Sequence, residues 1–227
     1  MNNNSKSVDY SAANEFNADE EISSGEYSSS KTDENAILVD DKANVKISNV
    51  TVEKTGDSDG GDNTSFYGTN SAVIAKDGAN LTLNNITVNT DATGANGVFC
   101  YGGSATTNDS ISDGTTLTIS DSTITTKKDN SGGIMTTGGG TMIASNLTVT
   151  TSGTSSAAIR TDRGGGNVSV NGGTYTTNGQ GSPAIYSTAA IKVSNATLKS
   201  KTSEGVVIEG KNSVEINNCT LEDNNTK

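Results

Sequence analysis

The sequence predicts an all-β chain, a single-stranded right-handed parallel β-helix, or solenoid, of about seven to eight rungs. Three observations carry that expectation. One short phrase, apolar-x-apolar-polar-[Asn/Asp/Gly]-x-Thr-apolar, returns seven times. A second short apolar run precedes each copy. Gly, Ser, Asn and Thr fill the intervals, and these residues punctuate strands. Periods of about 20–36 residues built only from strands mean a stacked repeat architecture.

The phrase copies are VKISNVTV (45–52), LTLNNITV (81–88), LTISDSTI (117–124), MIASNLTV (142–149), VSVNGGTY (168–175), IKVSNATL (191–198) and VEINNCTL (214–221). Their shared Thr column is Thr51, Thr87, Thr123, Thr148, Thr174, Thr197 and Thr220. Its neighbours alternate inward, so the column should face solvent, where β-branched Thr suits a strand. Two residues earlier runs a second column: Asn49, Asn85, Asp121, Asn146, Gly172, Asn195 and Asn218. Asn tolerates the left-handed backbone, and its amide can bond its counterpart one rung away. The preceding apolar runs are AILV, AVIA, GVFC, GIMT, AIRT, AIYS and VVIE. Each period thus reads as strand, turn, strand, tight polar turn, strand. An eighth, partial copy, SSGEYSSS (23–30), places Glu26 in the Thr column.

The expected organisation is a flexible tail over 1–20 and a β-helix over 21–227. Loop insertions interrupt it at 53–70 and 101–115. The chain ends just after a third strand, which predicts a solenoid truncated at its C-terminus. Both insertions fall in consecutive rungs and are expected to project on one side.

Composition narrows the chemistry. The chain has 227 residues, 30% hydrophobic and 4% aromatic, so only the placement of its apolar residues argues against disorder. Net charge is −11, which repels phosphate backbones and argues against nucleic acid. There is no His, so neither a Ser-His-Asp nor a Cys-His site can be built. No stretch approaches the ~20 apolar residues of a membrane span. The N-terminus lacks the basic and apolar regions of a signal peptide. Cys100 and Cys219 alternate with apolar neighbours four rungs apart, roughly 19 Å at the stacking repeat. They are expected as free buried thiols.

Candidate site residues fall in three places. Asp57, Asp59 and Asp62 on the Gly-containing first insertion offer hard oxygen ligands for calcium. A solvated acidic loop is the plainer alternative, and the spacing departs from an EF-hand. Phe66, Tyr67, Phe99 and Tyr101 cluster near the insertions, either docking them or stacking on a sugar ring. Arg160, Asp162 and Arg163 sit in AIRTDRGGGN (158–167), as an outward ligand-binding group or a local Arg–Asp pair. Lyase chemistry would need acids at the neighbouring rungs, where Met135 and Tyr186 stand instead. Glycosidase chemistry needs two carboxylates across a cleft, whereas Asp40, Asp41, Asp77 and Glu209 are scattered. Two outward Thr ranks also suggest an ice-binding face, interrupted at Glu53, Lys199, Lys201, Glu222 and Asp223.

With these motifs in place, the chain resembles the bacterial cell-surface β-helix proteins of gut and soil Firmicutes, adhesin-like and carbohydrate-binding. The resemblance covers roughly 20–225. SFYGTNSAV, GANGVFCYG, SSAAIRTDRGGGNVSVNGGTYTT and GSPAIYSTAAI carry it. It implies a secreted or surface-displayed, non-catalytic module that binds a polysaccharide or a cell-surface glycan, sometimes with calcium. The alternatives are a polysaccharide lyase or hydrolase, and a structural or ice-binding stalk.

Overall fold

The computed structural model describes residues 8–59, 61–103 and 112–225. Over these the chain winds into a parallel β-solenoid of eight rungs, with one short helix, Gly61–Tyr67. Each rung has three faces. The first face stacks Ser11–Phe16, Glu34–Val39, Val73–Ala75, Val98–Tyr101, Ile134–Thr137, Ile159–Thr161, Ile185–Ser187 and Val206–Ile208. The second and third faces carry the first and second halves of the recurring phrase. In rungs five and six the two halves fuse into continuous strands, Gly140–Thr151 and Gly166–Thr177. Every pairing is parallel and in register.

The Thr column stacks Thr51 on Thr87, Thr123, Thr148, Thr174, Thr197 and Thr220. Glu26 pairs with Thr51 and begins the column one rung earlier. The reason for the phrase is visible at its Asn. Asn49, Asn85, Asp121, Asn146, Asn195 and Asn218 all hold φ between 51 and 55°, and Gly172 holds 75°. A left-handed residue bends each rung between its second and third faces. Asn85 Nδ2 donates to Asn49 Oδ1 at 2.7 Å, Asn146 to Asp121 at 2.7 Å, and Asn218 to Asn195 at 2.7 Å. Where Gly172 lacks an amide, the adjacent Asn171 Oδ1 accepts from Asn195 at 2.8 Å.

The interior is a continuous apolar column, from Ile37, Val45 and Val52 to Ile185, Ile191 and Leu198. A polar line runs through one interior corner. Ser29, Lys54, Thr90, Thr126, Thr151, Thr177 and Ser200 are all buried and stacked. Thr126 and Thr151 hydroxyls donate to the carbonyls of Ser131 and Ser156 in the following turn. Ser200 Oγ donates likewise to Ser203 O, so at these rungs the line ties the third strand to the turn it enters.

Four expectations change. The solenoid starts at Ser11, inside the segment expected as a tail, because alternating Ala12, Asn14 and Phe16 pair with the second rung. The first insertion begins after Lys54, since Glu53 and Lys54 complete a third strand. The second begins after Tyr101, and residues 104–111 of it lie outside the described residues. Nor do the two leave from one corner. The first departs between the third and first faces, the second between the first and second. In the last rung, Ile208, Ile216 and Leu221 are exposed, and its strands have a partner on one side only.

Candidate functional site

The first insertion folds back across the outside of the first face. There, Leu38, Ile74, Phe99 and Met135 form an outward apolar row, all buried. The insertion is their cover. Tyr67 meets Tyr101 edge-on at 5.6 Å. Tyr10 Oη donates to Tyr67 O at 2.6 Å and Thr137 Oγ1 to Phe66 O at 2.7 Å. Burial pushes the Tyr101 hydroxyl up to about 12. Phe99 and Tyr101 are therefore docking residues, with no free face for a sugar.

Phe66 is the exception. Its ring lies 4.1 Å from the guanidinium carbon of Arg163, three rungs beyond the insertion's root. That contact carries the insertion to a groove of about 900 Å³ at the corner between the first and second faces, over rungs five to eight. Phe66 contributes one wall, and Ser112, from the second insertion, another. The two loops leave different corners and still meet here. The floor is the glycine turn that follows Asp162. A Cβ on Gly166 would stand 2.6 Å from Thr136 and 2.7 Å from the Gly140 carbonyl, so only glycine fits.

The lining is polar and of both charge signs. Asp162, Arg163, Glu209 and Lys211 line it, with Thr141, Asn167 and Ser213 adding hydroxyls and an amide. The only two arginines of the chain, Arg160 and Arg163, stand at this site. Arg160 forms an ion pair with Asp162 and lies 5.1 Å from the Tyr186 ring. Asp162 also accepts from the Arg163 backbone N–H at 2.9 Å. Tyr186 is pushed up to about 12, chiefly by burial and then by its hydrogen bond to Glu209. Arg160 stacks between Met135 and Tyr186, as the sequence places it. The groove therefore brings Phe66, Asp162 and Arg163 together, backed by Arg160. It leaves Phe99 and Tyr101 beneath the insertion, with Tyr67 docked on them.

The three Asp offered for calcium do not converge. Among the described residues no group of three acidic or sulfur side chains is arranged to hold a metal. Asp57 Oδ1 instead accepts the Thr93 N–H at 2.7 Å. Asp129 does the same for Thr154 at 2.7 Å, so this is a stitch between successive rungs. Asp59 and Asp62 are exposed, Asp62 in the first turn of the helix. Cys100 and Cys219 are both free. Cys100 is buried, and burial pushes its thiol up to about 12. Cys219 is only half-buried because it lies on the last rung.

Sequence reasoning missed Lys211, Asn167 and Ser213, and set Glu209 aside as a scattered acid. Asn167 and Ser213 stand at the start of the second strands of rungs six and eight, and Glu209 and Lys211 lie in the turn before the latter, so aligning these corners would have found them. On the third face the Thr ranks are as expected: Thr123/Thr125, Thr148/Thr150 and Thr174/Thr176 in adjacent rungs, bounded by Asn89 and Lys199. Among the described residues no helix is long and apolar enough to cross a membrane. Comparison with protein-family models, curated proteins and solved structures finds no match.

Proposed function

We propose that this chain is a non-catalytic module for carbohydrate binding or adhesion, displayed at or outside a bacterial cell surface, and that the corner groove receives the glycan. The observation that carries the reading is the groove itself. It is long and open, it follows the rod axis over four rungs, and residues from both insertions wall it. Sugar hydroxyls donate and accept hydrogen bonds, and the lining offers carboxylates, cations, hydroxyls and an amide for both. Loops on a rigid scaffold are the usual place for binding residues. Asp162 is held by Arg160 and by a backbone N–H, which suits a positioned acceptor better than a general acid.

A glycan array with the wild-type chain, Arg163→Ala and Lys211→Ala tests the proposal, with calcium added or chelated in parallel. Binding to a polysaccharide, weakened at least tenfold in either variant, supports it. An array blank for the wild type sinks it and leaves a structural stalk. Loss of binding on chelation that Asp57→Ala/Asp59→Ala/Asp62→Ala reproduces would restore calcium at the first insertion. The second reading, a hydrolase, rests on Asp162 and Glu209 lining one groove two rungs apart. At the stacking repeat that is roughly 10 Å, close to the separation used by inverting glycosidases. Release of shortened oligosaccharide from any bound polysaccharide decides for it.

A further inference from the structure

The interior corner of the second rung holds a lysine where other rungs hold Ser or Thr. Lys54 is fully buried. Its Nζ donates to the carbonyls of Lys31 at 2.8 Å and Gly56 at 2.6 Å. Asn70 is also fully buried, at the far end of the first insertion. Its Nδ2 donates to that same Gly56 carbonyl at 2.9 Å, so amine and amide are side by side. The Asn70 Oδ1 is buried without a hydrogen-bond partner. Ile37 and Val73 pair in register, and three residues before them stand Glu34 and Asn70. Glu34 is buried and its carboxylate is engaged by Ser29 Oγ and by Lys31 Nζ.

A backbone anchor for an insertion needs none of this. Threonine makes the same kind of tie in rungs four and five without burying a charge. From a buried amine and a buried carboxamide that share one carbonyl, we infer that Lys54 and Asn70 form an intramolecular isopeptide bond in the folded chain. The inference is independent of what the groove binds.

The step balances without a co-reactant. In its neutral form the Lys54 Nζ attacks Asn70 Cγ, forming the N–C bond. The Cγ–Nδ2 bond breaks, one of the two Nζ protons passes to Nδ2, and Nδ2 leaves as ammonia. The site favours it: burial lowers the Lys54 amine to about 8, against opposition from Glu34, Asp33 and Asp57, which brings the neutral, nucleophilic form within reach. The product bridges the two roots of the first insertion, the segment that walls the groove.

Intact-mass spectrometry of the folded wild-type chain tests this directly. We expect a mass lower than the sequence mass by one ammonia. Trypsin needs a free lysine side chain, so residues 47–76 should survive as one peptide, uncut after Lys54 and lighter by one ammonia. A full sequence mass overturns the inference. So does ammonia loss with normal cleavage after Lys54, which would mean ring closure at Asn70–Ser71 instead. Asn70→Ala removes the electrophile and should keep its own full sequence mass, with normal tryptic cleavage after Lys54. Loss of one ammonia in Asn70→Ala overturns the inference.

Discussion

Gly68 is where the reach of the first insertion can be tested by adding one methyl. It follows the helix Gly61–Tyr67 with φ +73°, the usual left-handed exit. A Cβ there would stand 2.7 Å from two carbons of the Phe99 ring and 2.8 Å from Ile74 Cδ1. A left-handed alanine costs about 1–2 kcal/mol. Overpacking against a ring that is itself fully buried adds about 1–3 kcal/mol. Together that is roughly 2–5 kcal/mol, against docking hydrogen bonds from Tyr10, Thr137 and Asn35 to the carbonyls of Tyr67, Phe66 and Gly68, worth about 1 kcal/mol each. The molecule has a cheaper response than unfolding, which is to undock the insertion. At about 1.4 kcal/mol per tenfold, Gly68→Ala should raise local opening about 30-fold or more. The assay is native-state hydrogen exchange by mass spectrometry. Amides over 61–71 should lose protection by that factor, while the strand Asn80–Asn84 keeps its own. Glycan binding should fall in parallel, because Phe66 leaves the groove wall. Wild-type protection over 61–71 in Gly68→Ala would refute the packing argument.

Other outcomes follow from the same structure. Asn85→Ala removes the 2.7 Å bond to Asn49 and puts a Cβ residue without a local partner at φ 51°. It should lower urea-unfolding stability by about 1–2 kcal/mol, whereas Asn85→Gly should cost less. A thiol reagent at pH 8 should modify Cys219 and spare Cys100 in the native chain, because a thiol raised to about 12 stays protonated and buried. In Asn70→Ala, Lys54 must remain a free amine. Its folded value of about 8 lies below its ordinary 10.5, so the unfolded state binds the extra proton between those values. Stability should therefore rise from pH 8 towards 10, by up to about 3 kcal/mol. Above 10 the trend should reverse. Burial raises Tyr10, Tyr101, Tyr175 and Tyr186, so the unfolded state loses those protons first. A flat profile from 8 to 10 contradicts the lysine argument.

The Asn–x–Thr phrase made the rungs legible because one turn recurs and demands one conformation. Seven of seven stacked Thr pair as the spacing says, and the Asn column sits in the left-handed region. The first-face strands also carried a signal that went unread. AILV, AVIA and GVFC are apolar on both sides, and GIMT places buried Met135 outward, which means cover on both sides. AIRT and AIYS put Arg160 and Tyr186 outward, where the cover stops. Period-2 reasoning assigns Phe99 outward correctly but cannot say that a segment some thirty residues upstream in the chain lies over it. The groove was half legible for a similar reason. Arg160, Asp162 and Arg163 are adjacent in sequence, whereas Lys211 and Glu209 reach them only through stacking. The Asp trio failed because local spacing does not show that Thr93 claims Asp57 from the next rung.

The third face offers a competing surface, and a single substitution separates it from the groove. Thr148 is exposed at the centre of the Thr ranks, between Thr123 and Thr174. A solvent-facing strand position of this kind tolerates substitution within about 0.5 kcal/mol. Thr148→Lys should therefore fold normally and place a charge in the middle of the hydroxyl lattice. Lys211→Ala changes only a groove side chain. If the groove holds the ligand, Lys211→Ala weakens glycan binding at least tenfold and Thr148→Lys leaves it unchanged. The reverse pattern, or inhibition of ice growth that only Thr148→Lys abolishes, would transfer the function to the third face. The charges that bound the ranks, Glu53, Lys199 and Glu222, favour the first result. They pin hydration shells at the edges of a surface that would have to shed water to dock on a crystal.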